Sequence, residues 1–174
     1  DIFHLPYPEE AFDHVFVCFV LEHVPNPIEA LTGLRRILKR GGTITVIEGD
    51  HGPTCFHPDS EAARRAIRCQ VDLQARMGGN SLIGRQLYPL FRKADYNNIS
   101  VSPRIVYVDS SKPELVEGFT KNTFIAMIEG IKDQAIDAGI IKEPDFDNGI
   151  NDLYRTTEED GTFVYTFFKG RAFN

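Results

Sequence analysis

The stretch from Phe12 to Gly52, FDHVFVCFVLEHVPNPIEALTGLRRILKRGGTITVIEGDHG, constrains the fold most. From His14 to Val20 the run HVFVCFV is almost entirely apolar and rich in Val and Phe, the pattern of a strand buried on both faces. Asn26-Pro27-Ile28-Glu29 then opens a helix. Asn26 is a suitable cap, Pro27 suits the first helical position, and Glu29 stands where a capping box needs it. Ile28, Leu31, Leu34 and Leu38 form one apolar stripe, while Arg35, Arg36, Lys39 and Arg40 favour the C-terminal end. Gly41-Gly42 ends that helix, and Thr43 to Ile47 is β-branched at every position. Strand, helix and strand with short connections predict two parallel neighbours joined by a right-handed crossover. Ligands of such sheets sit at the C-terminal strand ends, here Phe19 to His23 and Glu48 to His51.

Beyond a loop over Gly52 to Pro58, the spacing predicts a helix from Asp59 to Met77, stopped by Gly78-Gly79. A second helix is expected over Leu82 to Ala94, kinked at Pro89. Ile99 to Asp109 reads as a strand near an edge because Pro103 interrupts it. Ser111-Lys112-Pro113-Glu114 reads as a capping box, predicting one long helix to about Ala138, and a shorter helix is expected near Asp145 to Thr157. Thr162 to Phe168, TFVYTFF, is a closing strand after an Asp160-Gly161 turn.

Composition narrows the partners. A chain of 174 residues with net charge -6 is large enough for a sizeable core and lacks the basic balance that phosphate backbones demand, so nucleic acid is not an expected partner. The longest apolar run, Val15 to Leu21, is far short of the roughly 20 residues that cross a bilayer, and no secretory leader is visible. Three cysteines, Cys18, Cys55 and Cys69, suit free thiols in a reducing cytoplasm.

These runs resemble class I S-adenosylmethionine-dependent methyltransferases of the small-molecule type, similar to the enzymes of ubiquinone and menaquinone biosynthesis. The likeness rests on Asp1-Ile2-Phe3-His4-Leu5-Pro6-Tyr7, on Phe12-Asp13, on Leu21-Glu22-His23-Val24 and on Leu38-Lys39-Arg40-Gly41-Gly42. It implies an α/β, Rossmann-like sheet, mostly parallel with an antiparallel final strand. It also implies transfer of a methyl group from S-adenosylmethionine to a small-molecule acceptor. In the resemblance, Asp1 meets the adenine amino group, Ile2 supplies the next backbone amide, and Cys18 and Phe19 lie beside the methionine part of the cofactor. The family's glycine-rich loop and ribose-binding acid have no counterpart here. The sequence therefore reads as the C-terminal portion of such a domain, one domain over 1–174, with 110–160 as a mostly helical insert that caps the substrate site or forms a contact in a homodimer.

On the acceptor side, Glu48 and His51 are the candidates to orient a nucleophile or take its proton, with Asp50 and Arg85 as substrate contacts. Each has a plain structural alternative: a polar turn for Glu48 to His51, a surface arginine for Arg85. His51, Cys55 and His57 lack the paired spacing of zinc sites, so no metal is expected. Two other functional readings compete. One is a non-catalytic fragment or pseudoenzyme whose helical insert binds a protein; the other is a nicotinamide-dependent oxidoreductase, which gives no reason for the LEHV and LKRGG runs.

Overall fold

The structure, a computed structural model, describes residues 1–174. Four strands form one mixed sheet: β1 (Phe12–Cys18), β2 (Leu38–His57), β3 (Asn97–Asp109) and β4 (Thr162–Phe173), in the spatial order β1-β2-β4-β3. β1 and β2 are parallel, with Cys18 opposite Ile47, and the final strand runs antiparallel. The helix between them, α1 (Pro27–Ile37), begins as its sequence dictates. Asn26 accepts a hydrogen bond from the Glu29 amide at 3.3 Å, and Pro27 fills the first turn.

The chain divides into two compact units. The first comprises 1–50, 78–104 and 166–174. Its core gathers the apolar stripe of α1 (Leu31, Leu34, Ile37) with Val17, Ile44 and Val46 of the sheet and with Leu87, Leu90 and Phe91 of α3 (Leu87–Lys93). The Tyr96 hydroxyl donates to the Leu31 carbonyl at 3.0 Å, so this buried phenol has an acceptor. The second unit comprises 51–77 and 105–165. There α2 (Glu61–Arg76) packs on α7 (Glu143–Arg155), so closely that a Cβ on Gly149 would stand 2.6 Å from the Ala62 carbonyl oxygen and 2.8 Å from the Ala66 Cβ. The remaining helices of this unit are short: α4 (Pro113–Leu115), a π-helical segment Val116–Ile125, α5 (Ala126–Glu129) and α6 (Lys132–Asp137).

Several local expectations need correction. β2 does not end at Ile47, where its pairing with β1 stops, but continues through the expected loop to His57 with β4 as its other neighbour, despite the weak strand propensity of Gly49, Gly52 and Pro53. The single helix expected from Ser111 to Ala138 is broken. Its first half adopts i→i+5 spacing, with Thr123 Oγ1 donating to the Gly118 carbonyl at 2.7 Å, and Gly130 ends α5. Ser111 does not cap it either: its hydroxyl donates to Asp109 Oδ1 at 2.5 Å, which closes a turn instead. Residues Ile83–Gln86 form a 3-10 turn ahead of α3 where one kinked helix was expected. Pro103 is accommodated as anticipated, in the edge strand β3. No helix is long and apolar enough to cross a membrane.

Candidate functional site

In the first unit the C-terminal end of β1 lies beside the middle of β2, at Ile47. β1 stops at Cys18, and the Phe19 amide still donates to the Ile47 carbonyl at 2.9 Å. The chain then turns sharply. Phe19 takes a positive φ of 53°, a left-handed conformation that costs a bulky residue about 1–2 kcal/mol. Its ring remains 43% exposed and lies 5.4 Å, centroid to centroid, from Phe167. A short 3-10 turn, Leu21–His23, follows without any side-chain cap of its own.

Glu48 supplies that cap from the neighbouring strand. Its Oε1 accepts from the Val20 amide at 3.1 Å and from the Leu21 amide at 2.8 Å. The residue is completely buried and its Oε2 has no hydrogen-bond partner. Burial is the main reason its pKa is pushed up to about 7, against the pull of the two amides, and the nearby Glu22 carboxylate raises it further. Burial likewise raises the Cys18 thiol, helped by the Glu48 and Glu22 carboxylates, so Cys18 is a neutral thiol rather than an activated nucleophile.

Asp50, two residues on, is also buried. Arg85 reaches it from the 3-10 turn Ile83–Gln86 with two parallel hydrogen bonds, Nε to Oδ2 at 2.5 Å and Nη2 to Oδ1 at 2.7 Å. Gly84 makes this approach possible, since a Cβ there would come 2.8 Å from the Gly49 carbonyl oxygen and 3.0 Å from that of Glu48. The two residues expected separately on the acceptor side are thus joined in one ion pair.

Asp1 and Ile2 belong to the first unit as well. Asp1 is exposed, accepts from the Phe3 amide at 3.0 Å and pairs with the His4 ring at 2.8 Å, while Ile2 packs against the core of the first unit.

His51 belongs to the second unit, on the continuation of β2, and is 6% exposed. Its Nδ1 and the Tyr165 hydroxyl are hydrogen-bonded at 2.8 Å, and the rings of Tyr165 and Phe124 lie 5.5 and 5.8 Å from it. Sequence reasoning missed both the Glu48 cap and the Tyr165 partner. The available signal was an acid and a histidine within a strand too apolar to leave them unpaired. Tyr165 lies in the expected closing strand, and nothing in local spacing links it to a position so far away in sequence.

Residues 1–46 match the methyltransferase domain family. Over 132 residues the chain is 34% identical to the uncharacterized 37.1 kDa protein in transposon TN4556 of Streptomyces fradiae, covering 75% of this chain and 37% of that protein. It is 43% identical over 44 residues to the ubiquinone/menaquinone biosynthesis C-methyltransferase of Bordetella avium, covering 25% of this chain and 17% of that enzyme. The chain spans between about a third and three fifths of the length of the first curated relatives it matches. Among solved structures, the phosphoethanolamine N-methyltransferase 2 of Haemonchus contortus, in complex with S-adenosyl-L-methionine, superimposes with a TM-score of 0.52 at 14% identity, over 100% of this chain and 36% of that one. That likeness concerns the fold, and it agrees with the matched segment, which runs through β1, the turn after it and α1 into β2. Residues 1–46 are thus similar to the methyltransferase domain family, and the sheet they enter shares its fold with the methyltransferase of Haemonchus contortus.

Proposed function

We propose that this sequence carries the strand-end half of a methyl-transfer site and serves transfer of a methyl group from S-adenosylmethionine to a small-molecule acceptor. The observation that carries the reading is the turn after β1. A phenylalanine in a left-handed conformation is held exposed beside a neutral thiol, with two carboxylates, Glu22 and Glu48, close to that thiol. An aromatic face and net negative surroundings suit a sulfonium cation. Asp1 and Ile2 fill the adenine end of the same reading.

When bound, the cofactor supplies an electrophilic methyl carbon. Residues of this chain take distinct tasks in this reading. Phe19 and Cys18 line the methionine end. Glu48 holds the Val20 and Leu21 amides, which makes it a positioning residue: its carboxylate is spent on the backbone and out of reach of solvent. His51, held through Nδ1 by Tyr165 and itself buried, is the remaining candidate to accept a proton from an acceptor hydroxyl or amine. Asp50 and Arg85 contribute on the acceptor side as a pair, with the guanidinium half-exposed.

Calorimetric titration of S-adenosylhomocysteine into the natural protein that carries this sequence tests the proposal. Binding is expected, weakened at least tenfold by Phe19→Ala and unaffected by the surface change Tyr154→Phe. Absence of binding by the unmutated protein, or equal affinity for the Phe19 variant, overturns it.

A further inference from the structure

The sheet has a second chemical feature that methyl transfer does not use. Ser100, Ser102 and Arg104 alternate along β3, and Lys169, Arg171 and Phe173 alternate along β4. Strand side chains at i and i+2 share a face, so each set points to one side. Together they line a groove of about 300 Å³. The interleaved Ile99, Val101 and Ala172 pack into the core of the first unit, which makes the groove part of the outer face of the sheet.

Its chemistry is one-sided. Three cations and two hydroxyls line it, and no carboxylate does, in a chain with 25 acidic and 19 basic residues. None of the three cations takes part in an ion pair, whereas Lys39, Arg40, Arg64, Lys132 and Arg155 each have a carboxylate partner. The Arg171 guanidinium lies 5.1 Å from the centre of the Phe173 ring, a contact that orients this exposed side chain along the groove. Like charges gathered on neighbouring strands repel one another, and an anion between them relieves that cost. Same-face residues on one strand stand about 6.7 Å apart, a separation that calls for two anionic groups on one ligand rather than a single ion. Guanidinium forks match phosphate oxygens bidentately, and serine hydroxyls add further donors.

We propose that the β3–β4 groove binds a small polyanion carrying two or more phosphate groups. Titration of inorganic pyrophosphate into the isotope-labelled 174-residue chain at low salt, followed by backbone amide shifts, tests this. Saturable shifts confined to 98–104 and 169–173 are expected, with citrate binding at least tenfold more weakly. The double substitution Lys169→Ser with Arg171→Ser is expected to weaken pyrophosphate at least tenfold while the rest of the spectrum stays in place. Arg104→Ser, an exposed position on the other strand, repeats the measurement should the double variant lose its fold. Shifts that never saturate, equal affinity for citrate, or variants that bind as the parent does would each overturn the proposal.

Discussion

Arg85 binds Asp50 with both arms of its guanidinium, and the two partners differ sharply in exposure: the Asp50 side chain is 1% exposed and the Arg85 side chain 48%. The pair ties the turn ahead of α3 to the middle of β2. Arg85→Ala leaves a buried carboxylate without its counter-ion. Breaking a fully buried pair in this way costs about 3–5 kcal/mol, and the half-exposed guanidinium brings the expected loss to about 2 kcal/mol. Urea unfolding of the variant at neutral pH checks it, and an unchanged midpoint would show that solvent already screens Asp50.

Glu48 makes stability depend on pH in an uncommon direction. Its carboxyl titrates near 7 in the fold and near 4.5 when unfolded. Between those values the folded chain keeps a proton that the unfolded chain has lost. Its contribution is therefore fully present below about pH 4.5 and is lost as pH rises through about 7, a span worth about 3 kcal/mol. Glu48→Gln lacks that proton equilibrium. Measured at pH 5 and pH 8, the stability advantage of the parent over the variant should shrink at the higher pH, and a gap independent of pH refutes the assignment.

Gly149 sits where α7 crosses α2, with no room for a side chain. Gly149→Ala should destabilise the second unit by about 1–3 kcal/mol through overpacking, despite alanine's better helix propensity. Thermal unfolding distinguishes the two effects by sign: a raised melting temperature would mean that the helices separate without cost.

The Tyr165 hydroxyl is the acceptor or donor that orients His51. Tyr165→Phe keeps the ring packing against Phe124 and removes one buried hydrogen bond, for an expected loss of about 1 kcal/mol. The imidazole resonances of His51 should shift in the same variant. Identical histidine spectra in parent and variant would dismiss the pairing.

Much of the architecture was legible because it is written in local periodicity. The β-branched run Thr43 to Ile47, the stripe on α1 and the Asn26 cap each depend on neighbours a few residues away, and the parallel pairing of β1 with β2 follows from the short helical crossover. The candidate residues Glu48, Asp50 and His51 were also visible, as polar groups at the end of a buried strand. Their partners lay beyond the reach of spacing. Glu48 finds the Val20 and Leu21 amides, Asp50 finds Arg85, and His51 finds Tyr165, each across a chain separation that only the sheet and its turns close. For the same reason β2 outruns its propensity to His57, and the helix beyond Pro113 breaks. Local sequence determined which segments form strands and helices, through steric preference and apolar periodicity. Tertiary packing alone decided which buried polar groups meet, because desolvation makes each take whatever partner the fold brings within hydrogen-bond reach.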